Sequence, residues 1–334
     1  MSRPSSPKAA RPTLSEVAAL AGTSVPTVSK VLAGGSDVSS VTRARVMEAI
    51  ERIGYQPRGR KSLAPATPGL LDFVLSDVHG SWANEALVGV EKVATEVGQD
   101  VVITIARSDG AWVQRLLRRR SFGAIISLVD PTSAQLNLLH AGGIPVVLID
   151  PMSRPPGTVA SVGVTNWAGG RSAAEHLVAL GHRRFGIIGG VDAHLYSRAR
   201  IDGFRSALPE DAGTQVAYGD WRRPDAERAA HQLLRARQRP TAIFACSDTM
   251  AIGAYDAAAK LDLSIPGDLS IVGFDDVPEA AWASPPLTTV RQPIAELGAS
   301  ATRMLLRIQR TSQPPPREEL ATGLVVRAST APAP

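Results

Sequence analysis

The chain has 334 residues, more than one typical domain, and a single cysteine, Cys246, which excludes an intrachain disulfide. No run of eighteen apolar residues, no apolar leader behind the basic N-terminus and no Cys/His cluster with zinc spacing occurs, so export, membrane insertion, a metal and a cofactor are not expected and a cytoplasmic location is. The net charge of +5 is unevenly divided: residues 1–65 carry ten Lys/Arg against four Asp/Glu, leaving −1 on the remainder, which points to a small polyanion-binding module joined to a near-neutral body.

In chain order, residues 1–11 are rich in Pro, Ser and basic residues without periodicity and predict a flexible arm. Thr13-Leu14-Ser15-Glu16 reads as a capping box, in which hydroxyl and carboxylate each satisfy a backbone N–H, and Gly22 supplies the stop. Ser24 caps a second helix over Val25 to Leu32; Pro26 is tolerated there because it falls in the first turn, and Gly34-Gly35 ends it. A third helix from near Ser39 sets Val46, Ala49, Ile50 and Ile53 on one apolar face before Gly54. Residues 12–57 thus read as an all-α helix-turn-helix DNA-binding domain, and residues 58–69, mixing Pro, Gly and basic residues, as a hinge or linker able to touch phosphates.

Beyond the linker, apolar runs at Leu70 to Leu75, Val101 to Ala106, Ala124 to Leu128 and Pro145 to Ile149 alternate with helical stretches at Ala83 to Val97, Trp112 to Arg120 and Ala134 to His140. The rhythm resumes after residue 165, with runs at Phe185 to Gly189, Ala242 to Ala245 and Ser270 to Phe274 and helices starting near Trp167, Tyr196, Pro224 and Met250. Such βαβ alternation predicts two α/β lobes with parallel sheets over residues 70–330.

The run LSEVAALAGTSVPTVSKVL, continued by VTRARVMEAIERIGYQP, resembles the LacI/GalR family of bacterial repressors, and the resemblance extends through NWAGGRSAAEHLVALGHRRFGIIGG, FACSDTMAIGAYDAA and SIVGFDDVPEAAWASPPLTTVRQP. It implies a periplasmic-binding-protein-like α/β body of two lobes, with chain crossings near Thr165, Arg291 and Gly323: lobe 1 about 70–164 and 291–322, lobe 2 about 165–290 and 323–330. It also implies that Val25, Pro26 and Lys30 read bases, the first two by apolar contact and Lys30 by donating to guanine acceptors, while Thr13, Ser24, Thr27 and Ser29 hold the backbone. In the family a hinge leucine wedges into the minor groove, and Leu63 is the candidate. Yet PRGRKSL is one residue short of the usual spacing, Gly59 disfavours a helix and Arg58 stands where Asn is common; the alternative is that Arg58, Arg60 and Lys61 contribute mostly phosphate contacts or narrow-groove insertion.

Ligands of parallel sheets sit beyond the carboxyl ends of the strands, so the polar residues after each run are the binding candidates. These are Asp77, Ser81, Trp82, Arg107 and Asp150 on the first lobe and Tyr196, Arg200, Trp221, Ser247, Asp248 and Asp275 on the second, Arg200, Trp221, Ser247, Asp248 and Asp275 also by family position. Carboxylates accept from sugar hydroxyls, a guanidinium holds oxygens bidentately and an indole face covers the apolar side of a pyranose, so a mono- or oligosaccharide effector is expected. The bland readings stand beside these: Asp77, Asp150 or Asp248 as helix caps, Trp82, Trp167 and Trp282 as packing or interface residues, Arg118-Arg119-Arg120 as a solvated helix end, His176 and His182 as scaffold, and Cys246 as a buried small hydrophobe. The expectation is a homodimeric transcription regulator, not an enzyme, that binds palindromic operator DNA. The rivals are a cytoplasmic sugar-binding protein without a DNA role and a Rossmann-type enzyme; Gly189-Gly190 is a weak signal for the latter, since no G-x-G-x-x-G follows a strand.

Overall fold

The computed structural model describes residues 13–32, 38–53, 69–308 and 316–334. The expected arm, Gly54 and linker residues 58–68, with Arg58, Arg60, Lys61 and Leu63, lie outside them. The chain divides into two units between residues 65 and 66.

The first unit contains α1 (Leu14–Leu20), α2 (Val25–Leu32) and α3 (Ser40–Ile53). Glu16 N donates to Thr13 Oγ1 at 3.3 Å while Thr13 N donates to Glu16 Oε2 at 2.6 Å, completing the capping box of α1. Gly22 then turns the chain with φ +60°. Val17, Ala18, Ala21, Val28, Val31, Val46 and Ala49 are buried together, a core of small apolar side chains that lets three short helices touch.

The second unit holds two six-stranded sheets. The first consists of β1 (Leu70–Leu75), β2 (Asp100–Ile105), β3 (Gly123–Ser127), β4 (Val146–Ile149), β5 (Ala160–Val164) and β11 (Arg317–Leu320), in the order β11-β5-β4-β3-β1-β2, all parallel. The second consists of β6 (Arg184–Gly189), β7 (Gly213–Tyr218), β8 (Ala242–Ala245), β9 (Ser270–Asp275), β10 (Thr288–Arg291) and β12 (Gly323–Val325), in the order β12-β10-β9-β8-β6-β7. The edge pair β10·β12 is antiparallel, a departure from the purely parallel expectation. The chain therefore passes between the sheets after β5, after β10 and between β11 and β12. Thr322 N donates to Thr165 Oγ1 at 3.0 Å, tying the first crossing to the third.

Helices α4 (Ser81–Glu96), α5 (Ala111–Arg119), α6 (Ser133–Ala141) and α12 (Ile294–Ile308) pack with the first sheet; α7 (Asn166–Ala179), α8 (Leu195–Ser206), α9 (Arg223–Leu234), α10 (Asp248–Lys260) and the short α11 (Pro278–Trp282) belong to the second lobe. Close helix contacts are made by residues without side chains. A Cβ on Gly170 would fall 2.1 Å from Arg200 O, and one on Gly203 1.9 Å from Trp167 O, so α7 and α8 meet backbone to backbone. This contact sets Asn166 at the start of α7 beside Arg200 on α8.

One basic assignment changes in three dimensions and one polar assignment keeps its expected role. Arg119 is half-buried rather than solvated: it donates to Asp72, a fully buried carboxylate on β1, which also accepts from Thr104 Oγ1 at 2.6 Å and from Ser121 Oγ. An unpaired carboxylate inside a strand would be too costly, and Arg119 is the counter-charge. His182 is buried, with Nδ1 2.9 Å from Thr241 Oγ1 and Nε2 3.1 Å from Ser270 Oγ, a scaffold role consistent with its place under the β8–β9 start.

Candidate functional site

The helical unit presents α2. Its inward residues Val28 and Val31 are buried, whereas Val25, Pro26, Ser29 and Lys30 are exposed and, at i, i+1, i+4 and i+5, share one face. Ser24 Oγ accepts from Thr27 N at 3.3 Å and pairs with Thr27 Oγ1 at 2.9 Å, so Ser24 caps the helix whose first turn carries Val25 and Pro26. The hydroxyls of Thr13, Ser24 and Thr27 are thus already engaged in shaping helix starts.

The two-sheet unit carries a cavity of about 260 Å³ lined by the carboxyl ends of strands from both lobes. Of the eleven sequence candidates, Asp77, Trp82, Asp150, Tyr196, Arg200, Trp221, Ser247 and Asp275 line it. Leu128, Asp150, Trp221 and Asp275 do so with positive φ, backbone strain at the strand ends and the loop after β7 that turn toward the cavity.

Arg200 is the centre of this arrangement and is 3% exposed, which leaves its charge to be balanced by protein groups. Its Nε donates to Asn166 Oδ1 at 2.7 Å and its Nη1 to Cys246 O at 2.6 Å. Asp150 Oδ2 of the first lobe lies 3.6 Å from Nη2, and Asp275 Oδ1 of the second lies 3.5 Å from Nη1, ion-pair rather than hydrogen-bond distances. The guanidinium carbon also sits 3.8 Å from the Phe274 ring centroid, a cation–π contact. Each carboxylate has one oxygen on an amide: Asp150 Oδ1 accepts from Asn166 Nδ2 at 3.0 Å and Asp275 Oδ1 from Gln292 Nε2 at 2.5 Å.

Burial dominates the acid–base behaviour of these groups. It pushes Asp275 up to about 7 and raises Asp150, with Arg200 pulling both back down. Burial also raises the Tyr196 phenol and pushes the Cys246 thiol up to about 12, so Cys246 is not a thiolate at neutral pH. Ser127, on the cavity wall, has a buried Oγ with no hydrogen-bond partner among the described residues, a group that a polar ligand atom would satisfy.

Three sequence candidates are not in the cavity wall. Asp248 is fully buried and turned into the sheet, accepting from Thr289 Oγ1 at 2.5 Å and Val277 N at 3.0 Å; the next residue, Thr249, faces the cavity instead. Arg107 is exposed beyond β2, an edge strand too far out to line the cleft. Ser81 Oγ donates across the lobes to Glu279 on α11. Ser247 lines the cavity and at the same time caps α10, accepting from Met250 N at 3.2 Å. Asn166, Gln292 and His194 were not candidates from the sequence, yet the first two hold the carboxylates and the third accepts from Trp221 Nε1 at 3.1 Å. Only their proximity to charged groups distant in sequence distinguishes them.

With this geometry in place, comparison with known proteins gives a consistent picture. Residues 13–58 match the model of bacterial regulatory proteins, lacI family, and residues 174–330 that of the periplasmic binding protein-like domain. The chain is 30% identical over 330 residues to the HTH-type transcriptional repressor PurR of Actinobacillus pleuropneumoniae serotype 3 (strain JL03), covering 95% of this chain and 98% of that protein. It is 32% identical over 335 residues to the HTH-type transcriptional regulator CelR of Thermobifida fusca, covering 96% and 98%. Among solved structures, the CelR–cellobiose complex superposes with a TM-score of 0.71 at 31% identity, covering 96% of this chain and all of that one. The lac repressor dimer bound to operator and the anti-inducer ONPF does so with 0.71 at 27% identity and the same coverage.

Proposed function

Because the chain belongs to the lacI family of bacterial regulatory proteins, we propose that it represses transcription as a homodimer on palindromic operator DNA, under the control of a small polyhydroxylated effector. The α2 face offers Val25 and Pro26 to thymine methyls and Lys30 to guanine acceptors in the major groove, and Thr13, Ser24, Thr27 and Ser29 to the sugar–phosphate backbone. Arg58, Arg60, Lys61 and Leu63 follow in the linker and act on phosphates or the minor groove.

One observation carries the effector reading: the buried Arg200 is bracketed by Asp150 of one lobe and Asp275 of the other, with Trp221 and Tyr196 beside it. Carboxylates that each give one oxygen to an amide keep acceptor capacity for paired hydroxyls, and the indole covers a sugar's C–H face. A cavity of about 260 Å³ lies just under the ~300 Å³ lower end of common ligand sites, which favours a mono- or disaccharide over a longer chain. The protein acts by binding rather than by catalysis, in the cytoplasm where the operator is.

Fluorescence anisotropy on palindromic duplexes from the flanking genome, at ~0.15 M salt, tests the DNA role, with a shuffled duplex as control and cellobiose and ribose as first effectors. Preferential binding that one sugar changes is the expected result. Equal affinity for palindrome and shuffled duplex would overturn it.

A further inference from the structure

Trp221 reaches the cleft with φ +60°, and its ring lies against Gly190, where a Cβ would fall 2.0 Å from the indole. Its Nε1–H donates to His194 Nδ1 at 3.1 Å, and the two rings are 7° from parallel with centroids 6.3 Å apart. An indole N–H can only donate, so Nδ1 carries a lone pair and the imidazole is the neutral Nε2–H tautomer. Tyr196 OH stands 3.3 Å from the same nitrogen. Protonated, Nδ1 becomes a donor: it can no longer accept from Trp221, whereas the Tyr196 oxygen can accept from it. Trp221 and Tyr196 both line the effector cavity; His194 does not.

We propose that His194 is a positioning residue for the effector cleft: neutral, it holds the Trp221 indole against Gly190, and protonated, it hands its hydrogen bond to Tyr196 and releases the indole, weakening effector binding in acid. The proposal rests on the cleft being the effector site. The groups around the imidazole permit both states. Partial burial pulls His194 below its ordinary range, while Asp130, from the loop after β3, and Asp220, just before Trp221, favour the charged form. Asp192 is engaged by Tyr218 OH at 3.0 Å, and Arg198, one turn along α8, donates to Asp192 O at 2.7 Å. Arg200 lies 5.5 Å from the Tyr196 ring centroid and 5.9 Å from that of Trp221, on the cavity side of both rings. Asp130 belongs to the first lobe and accepts from Ser153 Oγ at 2.7 Å.

The test uses full-length protein with ¹⁵N-labelled indoles, the Trp221 N–H resonance being identified by its loss in Trp221→Phe. Between about pH 8 and pH 4.5, a range that spans an ordinary or lowered histidine, this resonance should titrate with a midpoint below that of a free imidazole. His194→Asn keeps an acceptor near the Nδ1 position but cannot protonate, so its Trp221 resonance should stay fixed. Calorimetry with cellobiose and ribose should show a fall in affinity on acidification that is at least about threefold smaller in His194→Asn than in wild type; this compares like with like, because Asp275 titrates in both. A wild-type Trp221 resonance that does not move, or one that moves equally in His194→Asn, would overturn the proposal. A resonance that titrates only in wild type, with neither sugar bound at any pH, would uphold the hydrogen-bond switch and tell instead against these sugars as effectors.

Discussion

Asp275 concentrates the electrostatics of the cleft. Its carboxyl is pushed up to about 7 because burial outweighs Arg200 and the Gln292 amide. A ligand hydroxyl donating to this group favours the ionised form, so binding near neutral pH should release a proton, and effector affinity should rise as pH increases through about 7. Calorimetry in two buffers of different ionisation enthalpy reads the proton directly; Asp275→Asn should abolish the release and lower affinity by roughly tenfold or more, the usual cost of a lost charge-assisted hydrogen bond. The same raised acid acts on stability in the opposite sense. Its folded form holds a proton that the unfolded chain loses in the ordinary carboxylate range, so its stabilising contribution is complete below that range and is lost as pH rises through about 7. Thermal unfolding should accordingly show Asp275→Asn gaining relative to wild type at pH 8 compared with pH 5; a difference independent of pH would contradict the raised carboxyl.

At the scale of elements, the position of Arg200 depends on the α7·α8 contact, and that contact depends on glycine. A methyl group on Gly203 would meet Trp167 O at 1.9 Å and must push the helices apart, lengthening the Arg200 to Asn166 hydrogen bond. Gly203→Ala should cost about 1–3 kcal/mol as overpacking, lower the melting temperature by several degrees, and weaken effector binding with it; calorimetry and thermal scans check both. In the other unit, Lys30→Met should change preference at one base of the half-site by about 1–3 kcal/mol, seen as a relaxed position in a binding-site selection, rather than weaken all sequences alike. These elements were readable because caps, periodicity and apolar runs are local. The α2 cap at Ser24, the strand ends and most cleft residues follow from short-range pattern. The surroundings of Asp248 and Arg119 are not local in this way: a strand-end Asp looks the same whether it faces the cavity or Thr289, and an arginine in a basic run looks solvated unless its partner Asp72, 47 residues away, is known. Gly190 is a related case, since its need to be glycine comes from the Trp221 ring and not from any phosphate loop.

The two lobes are joined at three crossings and are also bridged elsewhere, which makes their relative setting a property of the whole body. Met152 O accepts from Leu195 N at 2.8 Å, Asp150 faces Arg200, and Ser81 Oγ donates to Glu279 on another part of the rim. A ligand shifts such an equilibrium only by the difference in its affinity for the two settings, so contacts made in one setting alone decide how much effector binding can do. The Ser81–Glu279 clasp is a bridge that is accessible, lies outside the cavity wall and can be removed without disturbing Arg200. Glu279→Ala removes one solvent-facing hydrogen bond, worth about 0.5–1.5 kcal/mol, and should therefore weaken effector binding roughly two- to tenfold if the clasped setting is the one the effector prefers. The same substitution should then favour the other setting in the absence of effector, and operator affinity should move in the direction opposite to that produced by adding the sugar. Anisotropy on the operator duplex and calorimetry with the sugar measure the two halves of this cycle on one preparation. An unchanged effector affinity, or an operator affinity that moves the same way as sugar does, would show that the clasp does not distinguish the settings.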